Sequence, residues 1–262
     1  MKTWKVTFAA LICTALMSLT IGADARTRGH ASDSTAVSSF VWPRLRIGID
    51  FGGGYGIGKT DSQLTSDLKA HANRLRIGAI AGADVSWFFM KGLGAGIKGK
   101  LMYSSSSVNI SSGYYSFLLS ENVFIPFVGP MICSRSYSRD GKHCLTSNFA
   151  AGYCGYYDNF NLIEHGKLKA NTAGMCWDLG YDVSLSPNIS FGIQLSYLYA
   201  LLDKNDITVE HSLLTKEAIA EYMGDGLRSC SHIDLTVGLR FNFGCRAKKQ
   251  NQNNGKTRKE HS

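Results

Sequence analysis

The chain has 262 residues, of which 44% are hydrophobic and 18% charged, with 28 glycines and 4 prolines. This composition favours one all-β domain over a helical protein. The net charge is +8, but residues 244–262 contribute +5 and residues 1–25 contribute +1, which leaves +2 for residues 26–243. The basic balance is therefore no sign of a nucleic-acid-binding domain, and no nucleic-acid partner is predicted.

The first 25 residues have the parts of a secretory signal. Lys2 and Lys5 precede an apolar stretch at residues 6–22, and Ala23, Asp24 and Ala25 fit an A-x-A cleavage site. The mature protein is then predicted to begin at residue 26, with a polar segment up to residue 43. No later apolar run reaches the roughly 18 residues that a transmembrane helix requires.

From residue 44 onwards the chain alternates between apolar residues and polar residues or glycines, which is typical of β-strands with one apolar face. Eight segments follow this pattern, at residues 44–55, 76–88, 93–103, 123–133, 145–157, 172–185, 189–199 and 231–243. The segment at 123–133 fits least well, because Pro126 and Pro130 lack the N–H group that a central strand uses.

The predicted connections alternate between long and short. Long polar loops are predicted at residues 57–75, 104–121, 158–171 and 201–230, the last with a short helix at 216–223; the short turns are at 89–92, 134–143 and 186–188. A strand tilted by roughly 45° crosses a bilayer with about 9–11 residues. Because lipid cannot satisfy a sheet edge, we predict a closed eight-stranded antiparallel up-and-down transmembrane β-barrel over residues 44–243.

The inward-facing positions carry polar residues that are predicted to fill the lumen as a network: Arg46, Asp50, Asp84, Lys98, Lys100, Asp178, Asp182, Gln194, Asp234 and Arg240. Buried charges require partners, and this set has four basic and five acidic members. A narrow gated ion path is the alternative, although an eight-stranded barrel is only wide enough for its own side chains. A soluble exported barrel around an apolar ligand would need apolar residues inside.

Four segments of these strands have a further likeness: A-D-V-S-W-F-F at residues 83–89, V-G-P at 128–130, residues 148–157 and residues 233–243. They resemble the eight-stranded outer-membrane β-barrel proteins of Gram-negative bacteria, the outer membrane protein beta-barrel domain group. The resemblance covers about residues 44–243 and implies an outer-membrane location, with the long loops outside the cell and both termini in the periplasm. The chain departs from the usual pattern because a basic tail of 19 residues follows Phe243.

The same resemblance implies the partners of the chain. These are outer-membrane lipid, periplasmic chaperones and the barrel-insertion machinery. It also implies that this machinery reads a C-terminal insertion signal formed by Val237, Gly238, Leu239, Phe241 and Phe243.

Two patterns that could indicate catalysis have simpler interpretations. Residues 53–60, G-G-Y-G-I-G-K-T, match a phosphate-binding loop, but the preceding strand alternates with polar residues and is not a buried parallel strand. A lipid-modifying barrel enzyme would need a nucleophile beside a histidine. Ser231 and His232 are neighbours on a predicted strand and would face opposite sides. We predict a structural or surface-binding protein without catalysis, cofactor or metal, with a lipid-modifying enzyme as the alternative.

Six cysteines remain after the signal: Cys133, Cys144, Cys154, Cys176, Cys230 and Cys245. Export permits their oxidation, no spacing predicts a zinc site, and the sequence does not fix their pairing. They are interpreted as small lumen or loop residues with one or two disulfides at most.

Overall fold

The computed structural model of the chain describes residues 42–58, 66–112, 115–161, 165–202, 207–210 and 228–244. Eight strands form the barrel: β1 (Leu45–Gly56), β2 (Ile77–Phe88), β3 (Leu93–Ser112), β4 (Tyr115–Tyr137), β5 (His143–Asn161), β6 (His165–Ser184), β7 (Ile189–Leu202) and β10 (His232–Phe243). Two short strands, β8 (Thr208–Glu210) and β9 (Arg228–Ser229), pair antiparallel with β6 and β7, and one helix, α1 (Ser66–Leu75), precedes β2.

The eight long strands form a closed antiparallel ring, as predicted. Each pairs with its neighbours in chain order, β7 pairs with β10, and β10 pairs with β1. The register can be followed once around the ring from Tyr55 through Ile233, Tyr197, Trp177, Phe149, Ile132, Ala95 and Trp87 to Leu45. Leu45 is ten residues before Tyr55 on the same strand, so the barrel closes with a shear of ten residues, which tilts every strand.

Four strands are longer than the sequence pattern predicts. The predicted strand bounds hold closely for β1, β2, β7 and β10, whereas β3 to β6 have 20, 23, 19 and 20 residues. The loops predicted at residues 104–121 and 158–171 are therefore wrong, because most of these residues continue the β3–β4 and β5–β6 hairpins. The first stretch is rich in serine and the second in asparagine and charged residues, which is typical of loops, yet the described residues of both continue the backbone ladders.

The strand that the two prolines made doubtful is present as β4. Its ladder with β3 runs without a break past Pro126 and Pro130. Its ladder with β5 lacks pairs at residues 125–126 and 129–130. Proline has no N–H to donate, so the two prolines interrupt one ladder and leave the other intact.

Helix α1 occupies the end of the first long loop, where no helix was predicted. Asp67 in its first turn and Arg74 in its last turn complement the helix dipole. Among the described residues, no helix has the length and apolarity needed to cross a bilayer. The predicted secretory signal, most of the polar segment before residue 43, the helix at 216–223 and the basic tail after Gly244 lie outside the described residues.

Candidate functional site

A band of exposed apolar side chains surrounds the barrel wall. Every strand contributes to it, with exposed members including Phe51, Val85, Ile97, Val128, Leu145, Leu179, Ile193 and Leu235. The band is about ten residues tall along a strand, from Leu45 to Tyr55 on β1. At about 3.3 Å per residue and a tilt of roughly 40°, this corresponds to about 25 Å, the height of the apolar band of an outer-membrane barrel.

Aromatic residues mark both rims of the band. The staggered register places Tyr55, Tyr103, Phe124, Tyr153 and Tyr199 near one level at the loop end. At the turn end, Trp87 and Phe243 are 57% and 47% exposed. Aromatic side chains prefer the interface between lipid and water, so these residues are placed as a membrane would require.

The polarity of the two faces of β3 inverts at the loop-end aromatic level. Below Tyr103, Ile97 faces outward with 62% exposure, while its neighbour Lys98 is buried in the lumen. Above Tyr103, the outward residues Ser105 and Asn109 are exposed and polar. A barrel in water throughout would keep one polarity on its outer wall over the whole length of the strand.

Strand β6 shows the same inversion. In its lower part Leu179 is exposed and Asp178 is buried. In its upper part Lys167 is exposed and Leu168 is buried. The lower wall therefore suits lipid outside and charge inside, and the upper wall suits water outside and an apolar core inside. The chain is an eight-stranded transmembrane β-barrel.

All ten polar residues that the sequence places on the inward parity are buried inside the barrel, each at most 5% exposed. The layer nearest the turns contains two arginines and three aspartates. Arg46 Nη2 lies 2.8 Å from Asp182 Oδ2, and its Nη1 lies 3.7 Å from Asp84 Oδ2. Arg240 Nη2 lies 2.5 Å from Asp50 Oδ1, and its Nε lies 3.7 Å from Asp182 Oδ1. Asp182 thus joins both arginines, which link β1, β6 and β10.

A second charged layer lies next along the lumen. Lys98 Nζ is 2.6 Å from Asp178 Oδ2, and Lys100 Nζ is within 3.0 Å of both carboxylate oxygens of Asp234. Gln194 donates a hydrogen bond to a serine hydroxyl on its own strand at 3.2 Å. Each buried lysine therefore has a carboxylate partner, which is the condition for burying a charge at acceptable cost.

Glycines make room for the arginine layer. A Cβ at Gly192 would lie 2.1 Å from Asp182 Oδ1, and one at Gly48 would lie 2.4 Å from Asp84 Oδ1. A Cβ at Gly238 would lie 2.0 Å from the Ile49 carbonyl oxygen. Larger residues at these three positions would overlap the network or the backbone around it.

Arg135 closes the turn end of the lumen and was missed by the sequence analysis. The residue is 3% exposed. Its Nη2 donates a hydrogen bond to the Pro43 carbonyl at 2.5 Å, and its Nε donates one to the Lys91 carbonyl at 3.1 Å. Its guanidinium lies 3.5 Å from the ring centre of Phe88. Together with Arg135, the two charged layers have five basic and five acidic residues. The inward parity of residue 135 on β4 was the available signal, but the predicted strand ended at residue 133.

The upper part of the lumen is apolar. Its buried members include Ile80, Met102, Val123, Phe127, Tyr156, Leu168, Leu198 and Leu202. The predicted inward face consisted mainly of polar residues and glycines, with Met102 and Tyr156 among the few exceptions, so the extent of this apolar layer is a correction. It forms a small core inside the part of the barrel that rises above the membrane, where water surrounds the wall.

Helix α1 packs into this upper core from the loop end. His71 is 4% exposed, and its Nε2 lies 3.1 Å from Glu121 Oε2 on the inner face of β4. Leu75 packs against the apolar cluster. The first long loop thus places helix α1 in the loop-end opening of the barrel.

The described residues of the phosphate-loop motif belong to a strand end. Gly53 to Gly56 lie in β1, which pairs antiparallel with β2 on one side and with β10 on the other, so the parallel-strand setting of that motif is absent from the described part. Lys59 and Thr60 lie outside the described residues. The glycines are interpreted, as before, as a strand end.

The residues considered for catalysis form no nucleophile–base pair. The Ser231 hydroxyl is bonded to the backbone carbonyl of Ala200 at 3.3 Å. His232 is buried, with its Nδ1 3.1 Å from the Cys230 carbonyl and its Nε2 3.6 Å from Asp234 Oδ2. Among the described residues, no group of His, Cys, Asp and Glu is arranged to hold a metal ion.

The described cysteines are all buried, and four of them are free thiols: Cys133, Cys144, Cys154 and Cys176. None of the one or two disulfides considered from the sequence is therefore formed among these four. Cys245 lies outside the described residues.

No protein-family model matches the chain, and no curated protein matches it by sequence. Among solved structures, the outer membrane protein OprG from Pseudomonas aeruginosa aligns at 12% identity over 80% of this chain and 100% of its own, with a TM-score of 0.45. Neisserial surface protein A aligns at 10% identity over 76% and 97%, with a TM-score of 0.42.

The attachment invasion locus protein Ail of Yersinia pestis, solved in complex with the heparin analogue sucrose octasulfate, aligns at 16% identity over 76% of this chain and 99% of its own, with a TM-score of 0.41. All three TM-scores are below 0.5. The fold of this chain therefore rests on its own strand pairing.

Proposed function

We propose that the protein is an integral outer-membrane barrel with a sealed lumen, which acts as a structural or surface-binding protein through the part that rises above the lipid, without catalysis. The inversion of polarity along β3 and β6 carries this proposal, because it requires lipid around the lower wall and water around the upper wall. The predicted secretory signal at residues 1–25 supports export to the envelope.

The membrane location is tested by fractionation of cells that express the full chain. We expect the protein in the outer-membrane fraction and expect its mobility on a gel to change on boiling, as folded barrels resist detergent until heated. Recovery in the soluble periplasmic fraction would contradict the proposal.

The sealed lumen supports a non-conducting barrel over the gated-channel alternative. Arg135 and Pro43 close the turn end, two layers of paired charges follow, and the apolar layer and α1 close the loop end. Ions would have to break several buried pairs in succession. Purified protein in a planar bilayer should give no conductance steps; reproducible steps that depend on the protein would favour the channel.

The surface role is supported by an edge of the protruding sheet that no other described strand joins. The ladder between β2 and β3 ends at Tyr103, while β3 continues to Ser112 with β4 as its partner. Among the described strands, none pairs with the other edge of residues 104–112. Such an edge presents N–H and C=O groups that an extended segment of another protein can join as an added strand.

This surface role is tested by shortening the β3–β4 hairpin. Replacing residues 105–120 with a two-residue turn removes the free edge and leaves the membrane-spanning ladder. Cells displaying either form are then compared for retention on an array of extracellular proteins and polysaccharides. We expect retention by the full-length form alone; equal retention by both forms would exclude the edge as the binding surface.

Assembly is proposed to follow the usual route of outer-membrane barrels, with periplasmic chaperones and the barrel-insertion machinery as partners. The proposed insertion signal lies on the closing strand β10, where Val237, Leu239 and Phe243 are exposed on the outer wall and Gly238 and Phe241 lie between them. Its recognition by the machinery stays a prediction.

A further inference from the structure

The exposed charges at the turn end of the barrel are almost all positive. We name four of them the cationic collar: Arg44, Lys91, Arg139 and Lys142. Asp140 is the one carboxylate among the described residues of these turns. It is engaged within its own turn, where it accepts hydrogen bonds from the Ser138 hydroxyl and from the Lys142 backbone N–H. Four cations against one carboxylate give this end a charge of +3.

The collar lies at the edge of the apolar band. Phe89 and Met90 are 57% and 63% exposed and directly precede Lys91 in the β2–β3 turn. Lys91 Nζ lies 4.1 Å from the ring centre of Trp42. Arg44 directly precedes Leu45, the first residue of β1, and its backbone N–H donates a hydrogen bond to the Phe243 carbonyl at 3.0 Å. Apolar side chains that enter the acyl region therefore stand beside cations at the level of the lipid phosphates.

The turn end differs from the rest of the barrel in having a single carboxylate, Asp140, among its described exposed residues. The two charged layers of the lumen together with Arg135 have five basic and five acidic residues, and the described loop end has several carboxylates, among them Asp67 and Glu210, which pairs with Lys169 at 2.7 Å. The chain leaves the barrel at Gly244 on the turn side, and the sequence of residues 245–262 adds six basic residues and one acidic residue, or +5.

We propose that the cationic collar binds the phosphate headgroups of anionic phospholipids in the leaflet on the turn side of the membrane. The proposal rests on the membrane location of the barrel. A lipid headgroup fits better than a soluble anionic polymer, because Lys91 shares its turn with the exposed Phe89 and Met90, which a polymer in water would leave unburied.

The test uses full-length mature protein in nanodiscs with a minority of brominated lipid. Bromine quenches nearby tryptophan, and Trp42 and Trp87 lie at the turn end, while Trp177 lies on the wall nearer the loop end. We expect brominated phosphatidylglycerol to quench more than brominated phosphatidylcholine at the same fraction. The excess should vanish at about 1 M salt, where the Debye length falls to about 3 Å.

Two charge-removal variants separate the collar from the rest of the barrel. Arg139→Gln with Lys142→Gln should lower the phosphatidylglycerol preference by about fivefold for each cation removed. The matched control, Lys69→Gln with Arg74→Gln on α1, removes two exposed cations at the loop end and should leave the preference unchanged.

Equal quenching by the two lipids, or an unchanged preference in the turn variant, would overturn the proposal. Binding of a soluble polyanion such as dextran sulfate at the turn end without any lipid preference would overturn it in favour of a polymer partner. Failure of the protein to enter nanodiscs at all would contradict the membrane location itself, and so is distinguishable from failure of the collar.

Discussion

Arg240 Nη2 lies 2.5 Å from Asp50 Oδ1, so a buried ion pair joins the last strand of the barrel to the first. The two residues are 190 positions apart in the chain, and their strands meet at the seam that closes the ring. The second contact of Arg240, to Asp182, reaches across the lumen to β6. The ring is therefore closed by buried ion pairs in the lumen as well as by the backbone ladder between β1 and β10.

Arg240→Ala should destabilise the barrel by about 3–5 kcal/mol, because it leaves the carboxylates of Asp50 and Asp182 buried with one partner fewer. The measurement is the urea midpoint of the refolded protein in lipid vesicles, followed by loss of heat-modifiable migration. Lys69→Ala, an exposed change on α1, is the control and should leave the midpoint in place. An Arg240→Ala midpoint equal to that of the wild type would mean that the pair does not hold the seam.

Ile97→Arg should cost about 2–4 kcal/mol and impair assembly, because Ile97 lies near mid-height on the lipid-facing side of β3. Ser105→Arg is the matched control, since it lies on the same face of the same strand above Tyr103, where the wall is in water. Its cost should stay within about 0.5 kcal/mol. If the two variants lost stability equally in a vesicle folding assay, the boundary between lipid and water would not lie at Tyr103.

Gly192→Ala should destabilise the barrel by about 1–3 kcal/mol, because the added Cβ would overlap Asp182, which is held between two arginines. Gly99→Ala is the control. Its Cβ would have one neighbour, the Ala83 carbonyl oxygen at 4.0 Å. The measurement is the unfolding midpoint of each variant. A Gly192→Ala midpoint no lower than that of Gly99→Ala would show that the arginine layer can accommodate a methyl group beside Asp182.

His71→Ala should free α1 from the mouth of the barrel while leaving the strands intact, because His71 supplies the buried contact to Glu121. Hydrogen exchange of residues 66–75 should become faster, whereas the amides of β1 and β10 should keep their protection. Lys69→Ala on the exposed side of the same helix should change neither. Unchanged exchange in His71→Ala would show that other contacts hold the helix.

The buried thiols of Cys133, Cys144, Cys154 and Cys176 should react with a maleimide only after unfolding, since none is exposed and none is paired in a disulfide. Mass spectrometry of the folded protein in detergent should show these four cysteines unmodified, and the unfolded protein should show all four modified. Rapid labelling of Cys154 or Cys176 in the folded state would indicate an open lumen and would count against sealing.

The sequence by itself determined the number of barrel strands and the parity of their side chains. Side-chain direction repeats every two residues, so a local pattern such as Ile233 to Phe243 is enough to assign an apolar outer face. For the same reason it placed Arg46, Asp182 and the other charged residues on one inner face. It did not find the β3 and β5 extensions, because their outer faces lose the apolar residues on which the pattern depends.

Only the tertiary structure decided which inward charges meet. The partners Arg46 and Asp182 are 136 residues apart, and their contact depends on the shear of ten residues with which the ring closes. Shear is a property of all eight strands together, and no single strand encodes it. The same closure brings Arg135 to Pro43 at the turn end and α1 to Glu121 at the loop end, so these contacts depend on long-range packing rather than on local periodicity.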